Sequence, residues 1–133
     1  INVYQKNIEG SEVAIIGLGS FYHLGQKVHD MLKEQTGIQA TLINPRYITG
    51  IDRNLLTSLL ENHKLVITLE DGILDGGFGE KITRFYGDTD MKVLNFGATK
   101  EFTDRIGMDE LYERYHLKEV MIVEDIKNVL NKQ

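Results

Sequence analysis

"KLVITLEDGILDGGFGEKI", residues 64–82, is the stretch on which the fold turns. Lys64 to Glu70 is a short, near-continuous apolar run, the pattern of a strand covered on both faces. Further on, Phe78, Ile82 and Phe85 fall at helical spacing. Between them stand three carboxylates, Glu70, Asp71 and Asp75, and the glycines 72, 76, 77 and 79. A strand, a glycine turn and a helix in that order predict a crossover unit and a parallel sheet.

The same unit recurs on either side. "VAIIGLG" (Val13–Gly19) reads as a buried strand. After it, Phe21, Leu24, Val28, Met31 and Leu32 mark one stripe of a helix that should stop at Gly37. "IQATLIN" (Ile38–Asn44) is a second strand, and Asp52 is placed to cap a helix bearing Leu55, Leu56, Leu59 and Leu60. "MKVLNFG" (Met91–Gly97) is a fourth strand after the 64–70 run. Met108–His116 reads as a short helix, and Ile122, Ile126, Val129 and Leu130 stripe a last one. The polar residues 1–10 suit an edge strand or the tail of an interdomain connection. Together these patterns predict an α/β fold: a three-layer α/β/α sandwich with a mostly parallel sheet of about five strands.

Composition narrows the function. A chain of 133 residues, 41% hydrophobic, reads as a single domain spanning 1–133. A formal charge of −5, with basic residues scattered among acids, argues against a nucleic-acid partner. The absence of cysteine removes a disulfide framework, thiolate zinc ligands and a thiol nucleophile, and suits a cytoplasmic setting. No apolar run is long enough to span a membrane. The chain begins at Ile1, which suggests a piece of a longer or processed protein.

Two stretches invite a ligand. "GLGSFYHLG" (Gly17–Gly25) stands where a dinucleotide fingerprint would, but Tyr22 occupies its third glycine position. Asn44 and Pro45 stand where an acid should grip the ribose. A tight turn with Ser20 as helix cap is the better reading than a nicotinamide site. In the 68–82 stretch, Glu70, Asp71 and Asp75 could hold a hard cation, yet acids ahead of a helix also complement its dipole. Gly76, Gly77 and Gly79 let that helix approach a strand or subunit closely. Packing is the better reading, with no metal site.

If the 13–19 and 64–70 strands are neighbours, Gly19 and Ser20 flank a crevice together with Glu70 and Asp71. Its acids would repel phosphates and accept backbone amides, cations or basic side chains. Arg46 beside Tyr47 has an interface composition. His23, His29, His63 and His116 form no catalytic spacing and read as surface or capping residues. No active site assembles from these residues.

Three segments carry a resemblance: "TLINPRYITGID" (41–52), "LLENHKLVITLEDGILDGGFGEKI" (59–82) and "VLNFGATKEFTDRIGMDELYERYHL" (93–117). In order, they are similar to the C-terminal domain of the transketolase family, above all its 1-deoxy-D-xylulose-5-phosphate synthase branch. Arg46, Tyr47, Ile51 and Asp52 match the first family motif. Glu70, Asp71, Gly76, Gly77 and Gly79 match the second, and Asn95, Phe96, Gly97, Phe102 and Gly107 the third. Thr49-Gly50 and Thr99-Lys100 depart from the synthase pattern, where Lys-Pro and Pro-Asp are usual. Transketolases and the beta subunits of 2-oxoacid dehydrogenases share the fold and a similar glycine turn.

The resemblance implies a parent enzyme that uses thiamine diphosphate and magnesium, both held by other domains. It implies that this domain binds no cofactor, supplies no essential catalytic residue and packs at a homodimer. The rival from the residues alone is a stand-alone α/β module with an effector near Ser20 and Glu70.

Overall fold

A computed structural model describes residues 3–46, 50–73, 77–98 and 117–131. Five strands form one sheet: β1 (Gln5–Ile8), β2 (Glu12–Gly17), β3 (Thr41–Asn44), β4 (His63–Ile73) and β5 (Lys92–Ala98), in spatial order β1-β3-β2-β4-β5. β2, β3, β4 and β5 run parallel to their neighbours, and β1 is an antiparallel edge on β3. Within residues 1–10, Gln5–Ile8 forms that edge strand.

Among the described residues, four helices cover the sheet: α1 (Tyr22–Thr36), α2 (Arg53–Ser58), α3 (Phe78–Phe85) and α4 (Glu119–Asn131). Alternate strand residues serve opposite faces, as the pleat requires. Val13, Ile15, Leu42, Leu65, Ile67 and Leu69 pack with Val28 and Leu32 of α1 and Ile122, Val123 and Ile126 of α4. Ala14, Ile16, Ile43 and Val66 pack with Leu56 of α2 and with Phe78 and Ile82 of α3. This is the three-layer sandwich, and it explains why β2 and β4 read as continuous apolar runs.

Local signals set the helix ends. α1 stops where Gly37 turns left-handed at φ 80°, its N–H donating to the Lys33 carbonyl at 2.8 Å. Asp52 caps α2 by accepting from the Leu55 N–H at 3.1 Å, and its other oxygen accepts from the Tyr4 N–H at 2.9 Å. One carboxylate therefore holds both a helix start and the approach to the edge strand. Tyr86 is buried beneath α2, and its hydroxyl donates to the Leu56 carbonyl at 2.5 Å. Burial pushes that phenol above its ordinary pKa.

Two boundaries differ from the sequence reading. β3 begins at Thr41, because the Gln39 carbonyl accepts the Ser11 N–H at 3.0 Å instead of joining the ladder at residue 38. β4 runs on to Ile73, past the expected turn at Glu70, with a register shift between Leu69 and Ile73. The expected helix at Met108–His116 lies outside the described residues.

Candidate functional site

β2 and β4 are neighbours, yet β2 leads into α1 on one face and β4 into α3 on the other. The winding reverses between them, which puts the crevice of an open α/β sheet at their carboxyl ends. Gly17 pairs with Leu69, and one residue later the Leu18 N–H donates to the Leu69 carbonyl at 2.9 Å. The structure thus brings Gly19 and Ser20 beside the end of β4.

The β2 side of the crevice is plain backbone. Gly19 takes φ 60° with open space around it, a conformation that glycine adopts at little cost. Ser20 is exposed and does not cap α1, contrary to the sequence reading. The reason is a 3-10 turn over Gly19–Phe21, closed by the Phe21 N–H on the Leu18 carbonyl at 3.1 Å. That turn moves the helix start past Ser20, and Phe21 becomes an N-cap with no side-chain hydrogen bond.

The β4 side is polar and closed. Glu70 is only 4% exposed, and its Oε1 and Oε2 accept the N–H groups of Phe78 at 3.2 Å and Gly79 at 2.5 Å. These are first-turn donors of α3, otherwise without intrahelical partners. Glu70 therefore caps a helix that starts eight residues later, and its charge complements the helix dipole. The position before α3 belongs to Gly77, which is extended and has no side chain to offer.

Beneath the same turn runs a chain of side-chain bonds. Thr68 donates to Asn95 Oδ1 at 2.7 Å, Asn95 Nδ2 donates to Thr83 Oγ1 at 2.8 Å, and Thr83 donates to the Gly79 carbonyl at 3.1 Å. A Cβ at Gly79 would fall 2.6 Å from Thr68 Oγ1 and 2.7 Å from Asn95 Oδ1. Only glycine lets α3 sit this low on the sheet. Gly76 and the side chain of Asp71 lie outside the described residues. Among the described residues, no three of His, Asp and Glu gather as metal ligands would.

After β3, Arg46 is exposed and takes φ 68°, its N–H donating to Asn44 Oδ1 at 2.9 Å. A left-handed arginine is strained, and the bond to Asn44 helps to hold the turn. Tyr47 lies outside the described residues.

With the crevice in place, likeness to known proteins can be weighed. Residues 4–122 match the profile of the transketolase C-terminal domain. The chain belongs to that family. It is 31% identical over 121 residues to a 1-deoxy-D-xylulose-5-phosphate synthase of Clostridium tetani, covering 90% of this chain and 19% of the relative. It is 33% identical over 122 residues to one of Crocosphaera subtropica, again covering 90% of this chain and 19% of the relative. This transketolase C-terminal domain thus spans about a fifth of the curated relatives it matches. A solved structure described as a split gene transketolase, inactive beta4 tetramer, superposes with a TM-score of 0.84 at 24% identity. That match covers 97% of this chain and 42% of that one. A 2-oxoglutarate:ferredoxin oxidoreductase from Magnetococcus marinus gives a TM-score of 0.60 at 17% identity, covering 96% and 20%. Both structural matches bear on the fold.

Of the histidines of this transketolase C-terminal domain, His116 lies outside the described residues, and two of the others are not surface residues. His63 is half-buried: its Nδ1–H donates to the Leu59 carbonyl at 3.1 Å and Nε2 lies 2.7 Å from Thr41 Oγ1. Burial holds its pKa below the ordinary histidine value, with a smaller opposing effect from the Leu59 bond. His29 is buried beside Asp30, and its Nε2 has no hydrogen-bond partner among the described residues. His23 is exposed on α1 against Gln26.

The sequence reading missed the Thr68–Asn95–Thr83 chain. Its signal was a polar Thr68 inside the apolar "KLVITLE" run, opposite a glycine in the following helix.

Proposed function

We propose that this chain is the C-terminal, non-catalytic, dimer-supporting domain of a thiamine-diphosphate-dependent 1-deoxy-D-xylulose-5-phosphate synthase. The parent would join pyruvate to glyceraldehyde 3-phosphate with release of carbon dioxide, in the cytoplasm. The observation that carries this reading is coverage: relatives with that name match nine-tenths of this chain and extend far beyond it.

Thiamine diphosphate with magnesium does not fit the crevice of this domain. A diphosphate needs free N–H donors or cations, and the first N–H groups of α3 already hold the buried Glu70 carboxylate. Those two oxygens are likewise spent, which leaves them poor ligands for magnesium. The cofactor then belongs to other domains of the parent chain, and Glu70, Thr68 and Asn95 serve to fix the shape of this one.

Calorimetry and a carbon dioxide assay test the reading. The chain alone should neither decarboxylate pyruvate nor bind thiamine diphosphate; binding at micromolar cofactor would overturn it. The coding sequence ahead of Ile1 should carry a Gly-Asp-Gly…Asn cofactor motif. The same coding sequence would separate a synthase from a transketolase or a 2-oxoacid dehydrogenase beta subunit.

A further inference from the structure

Between α2 and α3 lies an open groove of about 710 Å³, lined by Gly50, Ile51, Arg53, Lys81, Arg84 and Phe85. That volume lies within the range of small-molecule sites. On α3, Lys81, Arg84 and Phe85 stand three and four residues apart and so share one face. From α2, the Arg53 guanidinium carbon lies 5.7 Å from the centroid of the Phe85 ring. Two helices therefore contribute three cations and one aromatic ring to the lining of a single groove.

Among the described residues, the acids nearby offset these charges only in part. Glu80 approaches Arg84 at 3.5 Å, one carboxylate for three cations. Asp52, next to Arg53 in sequence, turns both oxygens to the backbone N–H groups of Leu55 and Tyr4. Among the described residues, three cations against the carboxylates of Glu80 and Asp52 leave a local excess of one positive charge, in a chain whose formal net charge is −5. Like charges repel, and an anion seated among them relieves the repulsion.

We propose that this groove binds a small molecule bearing a phosphate group. A phosphate monoester carries nearly two negative charges at neutral pH, and the groove offers three cationic side chains to meet them. Arginine presents forked donors that fit phosphate oxygens, and lysine adds a point charge. Phe85 and Ile51 offer an apolar floor for the carbon part of the ligand. The inference stands apart from the parent reaction, since neither the crevice nor Glu70 takes part.

Isothermal titration of the full 133-residue chain with inorganic phosphate and with phenyl phosphate tests it, at constant ionic strength. Both should bind saturably, phenyl phosphate the more tightly. Lys81→Gln and Arg84→Gln are exposed changes that should leave thermal unfolding near that of the unsubstituted chain. Each should weaken binding about tenfold. No saturable binding of either probe would overturn the proposal, as would binding that survives the Lys81→Gln/Arg84→Gln double variant. Binding of an oligoglutamate peptide with no response to either phosphate would overturn it in favour of an acidic protein segment.

Discussion

After β2 the chain enters α1 with no side-chain cap, whereas after β4 it enters α3 over a buried carboxylate. The two turns lie side by side at the crevice and are both rich in glycine. In sequence the β2 turn has the makings of a nucleotide loop, but in the fold it is a bare 3-10 turn with open space around Gly19. The β4 turn has the glycines of a phosphate loop with the wrong charge. In the fold it is internal architecture, its acid and glycine serving the helix they precede. Glycines and acids near a strand end are thus no guide to a ligand until their hydrogen-bond partners are known.

Adding one methyl group to each turn breaks the comparison most sharply. Gly79→Ala places a Cβ against Thr68 and Asn95, and should cost about 2 kcal/mol or more despite the better helix propensity of alanine. Gly19→Ala meets no atom and should cost only the left-handed backbone term, about 1 kcal/mol. Urea denaturation of both variants measures the difference; equal losses would show that the two turns are packed alike.

The caps give the next largest contrast. Glu70→Gln sets an amide group where two N–H donors need acceptors, and should lose about 1–3 kcal/mol. Ser20→Ala leaves the N-cap of α1 at Phe21 unchanged, and should stay within about 0.5 kcal/mol of the unsubstituted chain. A large loss at Ser20 would refute the assignment of Phe21 as the cap.

A smaller effect belongs to the other end of β4, where His63 sits in place of an acid. Burial lowers its pKa in the fold, so the folded chain resists a proton that the unfolded chain takes up. Stability should be full above the ordinary histidine value of about 6.5 and fall as pH drops through the lowered folded value. Denaturation midpoints between about pH 7.5 and 5 should show that decline, and His63→Gln should flatten it.

Much of this was legible from residues close in sequence. The stop of α1 at Gly37 and the Asp52 cap depend on partners within four positions, and both were readable. The four parallel strands followed from apolar runs long enough to be buried on both faces. The role of Glu70 was half legible: an acid before a helix was expected to complement it, but its burial depends on N–H groups eight and nine residues away. The Thr68–Asn95 bond spans 27 residues and two strands, beyond any local pattern. Ser20 misled because a cap was assigned by residue type, while a 3-10 turn decided where the helix began. His29 misled because its position on α1 is polar in sequence and buried in space.

The reversed direction of β1 has a consequence for how this fold meets whatever is joined to it. Gln5 pairs with Asn44, so the edge strand starts at the end of the sheet where the parallel strands finish. A polypeptide attached ahead of Val3 arrives on the crevice side, close to Gly50 and Asp52. With β1 parallel, the same polypeptide would arrive at the opposite rim, near His63. One antiparallel strand at the edge thereby sets the side from which a fused neighbour approaches.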